Sequence, residues 1–143
     1  MNIHQISVFL ENRTGQLAEI TKLLADQHID IRAISIAETH DYGLVRLIVD
    51  DTFKASSILL THGDIVSVTP VFAVEVPDRP SGLADLLTVL AEANVAVEYM
   101  YSLFTHREGN AYMVLRINDE PRFLSTLGDR RIKVMTKAEL GLK

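Results

Sequence analysis

Apolar and polar residues alternate along this chain in two patterns, which predict strands and helices in succession. Residues 3–10 alternate with a period of two, so that Ile6, Val8 and Leu10 share one face of a strand. Apolar residues then recur every three or four positions, which predicts an amphipathic helix over residues 15–27. The elements that follow are strands at 31–39, 44–49 and 64–69, a tight turn over 40–43 with positive φ at Gly43, and a helix that Asp51 caps and Gly63 ends.

The same order of elements occurs a second time. The segments that begin at Leu17 and Leu83 align without a gap at an offset of 66 residues. The repeat predicts strands at 72–76, 96–105, 111–117 and 131–136, a helix from Leu83, and a short helix that starts at Asn118 or Asp119 and ends at Gly128. We therefore expect an α+β fold of two ferredoxin-like βαββαβ units in tandem, residues 1–69 and 70–143, each an antiparallel sheet with helices on one face.

A polar turn connects the first strand of each unit to its first helix. The turns read Glu11-Asn12-Arg13-Thr14-Gly15-Gln16-Leu17 and Pro77-Asp78-Arg79-Pro80-Ser81-Gly82-Leu83. The first N–H groups of a helix lack backbone partners, so they attract a small anion such as a carboxylate. The same glycines also suit a tight turn, so the turns alone leave both interpretations open.

Composition narrows the classes of protein that fit. The chain has 143 residues, 48% of them hydrophobic, no cysteine and a net charge of -5. The lack of cysteine removes disulfides and thiolate metal sites and is typical of a reducing cytoplasm, where we expect the protein. No apolar run is long enough to span a membrane, and an acidic chain has no general affinity for nucleic acids or anionic membranes. The basic cluster Arg130, Arg131, Lys133 and Lys137 favours protection of an edge strand over binding of a polyanion.

The sequence contains no pattern that indicates catalysis or a bound metal or cofactor. Its five histidines are spread over different elements without metal-ligand spacing. No serine or threonine belongs to a recognisable nucleophile motif, and a glycine-rich phosphate loop is missing. We therefore expect a protein that is not an enzyme, with no catalytic residue, no metal and no cofactor.

The doubled βαββαβ pattern and the run from Asn12 to Leu17 resemble the ACT domain, whose first turn commonly reads Asn-Arg-Pro-Gly before apolar residues. The resemblance covers essentially the whole chain, and the run from Glu98 to Ser102 is similar to that of small stand-alone tandem ACT proteins. It implies an allosteric sensor in which two domains pair and a free amino acid lies at their interface against the first turn. It also implies a homodimer that acts on a biosynthetic enzyme or regulator.

The resemblance also implies which residues contact the ligand. Asn12 matches the turn asparagine, and Asp30 matches a polar residue that completes the pocket from the opposite unit. The full set expected to bind the ligand is Asn12, Arg13, Thr14, Gly15, Gln16, Leu17, Asp30, Ser81, Gly82, Leu83, Tyr99 and Tyr101. Thr14 stands where the family has proline, and the second unit keeps neither Asn12 nor Asp30, which predicts a weaker or lost second site.

Structural roles stay open for several of these residues. Asn12 also suits a turn in which it bonds its own backbone, and Asp30 also reads as an exposed loop carboxylate. The two tyrosines, Tyr99 and Tyr101, also suit core or interface packing on a strand.

Two other functions share this order of elements. RNA recognition motifs need aromatic residues on the central strands and a basic face, which residues 3–10 and 44–49 do not supply. A small enzyme such as an acyl phosphatase needs an arginine beside its anion loop, and Arg13 is the one candidate. A regulatory protein that binds an amino acid is the function the sequence favours.

Overall fold

The computed structural model describes residues 2–11, 13–38 and 41–143, which form two compact units. The N-terminal unit consists of His4–Thr69 together with Gly141–Lys143. Its elements are the strands β1 (Ile3–Glu11), β2 (Ile31–Glu38) and β3 (Tyr42–Val49), the helices α1 (Gln16–Asp26) and α2 (Thr52–His62), and the first residues of β4 (Val66–Pro77). The strand order is β2-β3-β1-β4, with β3 antiparallel to both of its neighbours.

Alternating side chains of β1 and the apolar stripe of α1 form the core of the N-terminal unit. Ile6, Val8 and Leu10 face Ile20 and Leu24, and all five are buried. At roughly 25 cal/mol per Å² of apolar surface removed from water, contacts of this kind are the main favourable term in folding. Both predicted helices of this half and the strands β1, β2 and β3 are confirmed within two residues of their expected ends. The strands expected at 64–69 and 72–76 are instead one continuous strand, β4.

The C-terminal unit consists of Pro70–Leu140 together with Asn2 and Ile3. Its elements are the rest of β4, α3 (Gly82–Glu92), β5 (Val97–Ser102), β6 (Asn110–Ile117), α4 (Glu120–Asp129) and α5 (Lys137–Leu140). The strand order is β4-β6-β5, and its core repeats the first one with Phe72, Val74 and Val76 against Leu86 and Leu90. The expected fold of two ferredoxin-like βαββαβ units is therefore confirmed.

The last expected strand, over residues 131–136, is reduced to a single bridge between Val74 and Val134. The chain leaves the sheet because Thr136 and Glu139 cap each other at the start of α5. The N–H of Glu139 donates to Thr136 Oγ1 at 3.2 Å, and the N–H of Thr136 donates to Glu139 Oε1 at 3.1 Å. The sequence Thr-x-x-Glu is the signature of such a reciprocal cap.

The structural roles predicted for two glycines, the turn at Gly43 and the helix end at Gly128, are wrong. Gly43 lies inside β3 opposite Leu10, so the reversal falls before it, and Thr39 and His40 lie outside the described residues. Gly128 lies inside α4, which ends at Asp129 instead. The chain turns at Arg131, which adopts a left-handed φ of 55°. Glycine in a helix weakens it without ending it, because the residue remains free to adopt helical angles.

The position of Gly128 generates a prediction about stability. No atom lies within 4 Å of a Cβ built at Gly128. We expect Gly128→Ala to raise the free energy of unfolding by about 0.5–1 kcal/mol, because alanine loses less conformational entropy in a helix. Urea denaturation followed by circular dichroism measures this.

Gly63→Ala is the matched control, because Gly63 ends α2 with a left-handed φ of 97°. Alanine there is expected to lower the free energy of unfolding by about 1–2 kcal/mol. Equal effects of the two substitutions would show that the end of α4 is misassigned.

Candidate ligand-binding site

Among the described residues of the first turn, no side chain caps the start of α1. Gly15 is the N-cap residue, has a left-handed φ of 85° and has no side chain that accepts a hydrogen bond. The N–H of Gln16 makes a long hydrogen bond of 3.4 Å to Arg13 O, which closes the turn. The N–H groups of Leu17 and Ala18 follow, in the first turn of the helix where intrahelical partners are missing. Arg13 and Thr14 are exposed, Leu17 packs at the edge of the core, and Asn12 lies outside the described residues.

Gln16 brings a buried acceptor to this turn. Its side chain is only 8% exposed, and its Oε1 has no hydrogen-bond partner among the described residues. An unpaired buried polar group costs about 1–3 kcal/mol. Sequence reasoning selected Gln16 for its backbone N–H and missed the side chain, because an alternation of polar and apolar residues does not reveal which polar group is buried.

Charged side chains connect the turn to the end of α2. Arg13 Nη1 lies 3.1 Å from Glu19 Oε2, and Glu19 Oε1 lies 3.3 Å from His62 Nε2. His62 Nδ1 lies 2.8 Å from Asp64 Oδ2. The hydrogen bond to Asp64 is the largest cause of a raised His62 pKa, and the charges of Asp64 and Glu19 raise this pKa further.

The glycine of the second turn has a different structural role from the glycine of the first turn. Ser81 is the N-cap of α3 but makes no capping hydrogen bond, and Leu83 is 39% exposed. A Cβ built on the buried Gly82 would overlap the carbonyl oxygen of Pro77. Gly82 is therefore needed for close packing, whereas no atom lies within 4 Å of a Cβ at Gly15, which is needed for its left-handed φ.

The Arg13 and Glu19 pair recurs in the second turn. Arg79 Nη2 lies 3.6 Å from Asp85 Oδ2, at the same offset of 66 residues. Sequence reasoning missed this pair, although the repeat contains the signal, because both members of each pair are exposed and look like ordinary surface charges.

Asp30 lies at the far end of the N-terminal unit from the first turn. It precedes β2 and sits beside Asp50, whereas the turn follows Glu11, which pairs with Tyr42 at the other end of β3. The length of β3 separates them by roughly 25 Å. Within this unit, the structure does not bring Asp30 to the turn.

The fold engages Asp30 through its backbone and through a long ion pair with Arg32. Its N–H donates to Asp50 Oδ1 at 2.9 Å, and its carbonyl accepts from the N–H of Asp50 at 3.0 Å. Ala96 makes the same two bonds with Asn118 in the C-terminal unit, at 2.9 and 3.2 Å. The Asp30 carboxylate is 68% exposed and lies 3.8 Å from Arg32 Nε.

Tyr99 and Tyr101 lie half-buried on β5, opposite Arg116 and Val114. Met100 between them packs against the helix-covered core, so the tyrosines lie on the other face of the sheet. Helix α3 covers the core face, so within the C-terminal unit the tyrosines and the Ser81–Leu83 turn are on opposite sides.

Comparison with known proteins identifies the class to which this fold and turn belong. The sequence matches the family described as ACT domain pair over residues 1–140. The chain therefore belongs to the ACT domain pair family, as its first turn indicated. No curated protein matches this sequence.

Solved structures resemble the chain over nearly its whole length. Protein BT0572 from Bacteroides thetaiotaomicron is 33% identical, with a TM-score of 0.91 over 99% of this chain and 96% of that chain. The regulatory subunits of aspartate kinase from Thermus thermophilus and Thermus flavus are 15% and 16% identical, with TM-scores of 0.65 and 0.62, and both comparisons cover 88% of this chain and 90% of theirs. At that identity, the two subunits show a shared fold.

The described residues were also searched for a metal-binding group of side chains and for a membrane-spanning helix. Among residues 2–11, 13–38 and 41–143, no group of three or more His, Asp or Glu side chains is arranged to hold a metal ion. No helix in the same ranges is both long and apolar enough to cross a membrane.

The two turn glycines are expected to respond differently to alanine. Gly15→Ala should cost about 1–2 kcal/mol of unfolding free energy, the cost of a left-handed conformation with a Cβ. Gly82→Ala should cost about 3 kcal/mol or more, because the added atom meets backbone that must move. Chemical denaturation of both variants tests this, and a larger loss for Gly15→Ala would contradict the distinction.

The His62 network predicts a dependence of stability on pH. Because the folded pKa of His62 is raised above 6.5, its contribution is fully present below that value and is lost as the pH rises through the folded pKa. We expect the melting temperature to fall as the pH rises from 6.5 through the folded pKa of His62. His62→Gln should flatten this profile, and His28→Gln, on the exposed residue after α1, is the matched control. A profile that keeps its slope in His62→Gln would assign the titration to another group.

Proposed function

We propose that this protein binds a free amino acid at the start of α1 and acts as an allosteric regulatory protein on a separate metabolic enzyme or regulator. The observation that carries the proposal is that, within the described part of the chain, Gln16 Oε1 has no hydrogen-bond partner and lies beside a helix start that no side chain caps. A free amino acid presents a carboxylate and an ammonium group close together. Uncapped N–H groups suit the carboxylate, and an unpaired amide oxygen suits the ammonium.

The other residues of the proposed site have supporting roles. Arg13 adds positive charge at the turn, since half of its side chain is exposed even in its pair with Glu19. Asp30 of a neighbouring ACT unit is proposed to complete the site, because its carboxylate is 68% exposed and its partner within the unit, Arg32 Nε, lies 3.8 Å away. Thr14, Gly15 and Leu17 are proposed to form the wall of the site and Asn12 to contact the ligand, with a weaker counterpart at Ser81, Gly82 and Leu83.

The regulatory part of the proposal rests on the family and the shared fold. Two of the similar structures are regulatory subunits of aspartate kinase, and a regulatory module needs no catalytic residue of its own. We propose that the protein is not an enzyme and that it works as a homodimer, in which ACT units of two chains can face each other. The ligand would then change the contacts that the dimer makes with its target.

Isothermal titration of the full chain with each of the twenty amino acids tests the proposed function. We expect one or a few small amino acids to bind with micromolar to millimolar affinity, since a few charge-assisted hydrogen bonds must offset the cost of association. Heat silence with all twenty would overturn the proposal.

Gln16→Leu separates binding from folding. Replacement of the unpaired amide by an apolar side chain should leave the melting temperature unchanged or higher. Affinity should fall about tenfold or more, because a hydrogen bond to a charged group is worth about 1.5–3 kcal/mol. Gln27→Leu on the exposed C-cap of the same helix is the matched control and should bind as the natural chain does. If the two variants bind equally well, Gln16 is not part of the site.

A further inference from the structure

Glu19, in the first turn of α1, is shared between two basic side chains. Its Oε2 lies 3.1 Å from Arg13 Nη1, and its Oε1 lies 3.3 Å from His62 Nε2. The carboxylate therefore connects the turn before α1 with the end of α2. The positive charge that Arg13 presents at the start of α1 depends on Glu19, and the position of Glu19 depends in turn on His62.

Both ring nitrogens of His62 face carboxylates. A neutral imidazole has one N–H donor and one acceptor, whereas the protonated ring has two donors. His62 Nδ1 makes the shorter contact, 2.8 Å to Asp64 Oδ2, and the Asp64 side chain is only 8% exposed. The neutral ring therefore keeps its proton on Nδ1 and turns the lone pair of Nε2 towards Glu19. Only the protonated ring can donate to both carboxylates, so protonation decides whether His62 holds Glu19.

Protonation of His62 also changes the net charge beside the start of α1. With the ring protonated, Arg13 and His62 balance the carboxylates of Glu19 and Asp64, and the neutral ring leaves one negative charge in excess. The hydrogen bond to Asp64 and the charges of Asp64 and Glu19 raise the pKa of His62. The other side chains of the groove beside His62 carry no charge, namely Leu23, Gln27, Ser57, Ile58 and Thr61. An anion at the start of α1 is therefore disfavoured when His62 loses its proton.

The C-terminal unit shows that the fold does not require this histidine. Asp51 and Asp119 are the N-caps of α2 and α4, and the spacing of 68 residues between them puts Arg130 at the position of His62. Arg130 Nη2 lies 3.6 Å from Glu92 Oε2. Arginine stays protonated at any ordinary pH. The C-terminal unit thus has a fixed charge where the N-terminal unit has one that titrates.

We propose that Glu19 and His62 are positioning residues that make the binding of a carboxylate at the start of α1 dependent on pH. A proton on His62 makes Glu19 divide its charge between two cations, which leaves Arg13 freer to pair with the carboxylate. Loss of the proton returns Glu19 to Arg13 and adds a negative charge nearby. The inference rests on the carboxylate half of the proposed function and does not depend on which amino acid carries that carboxylate.

Amide NMR of the full chain with acetate as the probe tests this inference at low ionic strength, where exposed charges are least screened. Acetate has the carboxylate of an amino acid without its ammonium group, and the ring resonances of His62 report its protonation in the same samples. We expect saturable shifts at residues 16–18. The affinity should be about two- to fivefold higher below the pKa of His62 than above it, the effect of one nearby charge that solvent partly screens. Since coupling is reciprocal, saturation with acetate should raise the pKa of His62.

Two substitutions separate this role from a structural one. His62→Gln should give a single affinity at every pH, equal to that of the natural chain with neutral His62. Glu19→Gln should raise the affinity for acetate and remove most of its pH dependence, because Arg13 then loses the carboxylate with which it pairs. His28→Gln is the matched control, since it removes an exposed histidine beyond the other end of α1, and it should keep the full pH dependence.

Several results would overturn the inference: no saturable shift at residues 16–18 with acetate, equal affinity on both sides of the His62 transition, or a pH dependence that survives in His62→Gln. A uniform loss of affinity at every pH in His62→Gln would assign a structural role to the histidine and overturn it as well. Heat silence with all twenty amino acids, together with pH-dependent binding of acetate, would overturn the amino-acid site alone. Heat with an amino acid, together with binding of acetate that does not vary with pH, would overturn the present inference alone.

Discussion

The packing of the first helix of each unit onto the strand before it determines where the candidate sites lie. Ile20 and Leu24 reach the face of β1 that carries Ile6 and Val8, and a short turn connects the two elements. The helix must therefore begin directly at the end of the strand, and its first N–H groups must lie in that turn. The same contact recurs with Leu86 and Leu90 over Phe72 and Val74, so the fold produces two such helix starts.

Although the two units repeat one architecture, they meet its local requirements with different residues. The turn glycine provides a left-handed φ at Gly15 and room for the Pro77 carbonyl at Gly82. The end of the second helix of each unit is left-handed at Gly63 in one case and at Arg131 in the other. These differences show which backbone conformations the fold requires at equivalent positions and which residue types it tolerates there.

The sequence predicted the elements well because their signals are local. Periodicity and caps such as Asp51, whose side chain accepts from the N–H of Lys54 at 3.1 Å, involve residues close in the chain. The opposite faces of Met100 and Tyr101 also follow from simple alternation. The burial of Gln16 Oε1 was not predictable in this way, because it depends on residues from other elements that pack around the turn.

The proposed site at the start of α1 contains a polar group that lowers the stability of the fold. Gln16 Oε1 is buried without a hydrogen-bond partner among the described residues, and such a group costs about 1–3 kcal/mol. That is a substantial fraction of the about 5–15 kcal/mol by which domains are stable. Leucine at this position would remove the cost. A ligand that binds only the folded chain offsets it in proportion to its occupancy, so the proposed function gives this glutamine a physical reason that the fold alone does not.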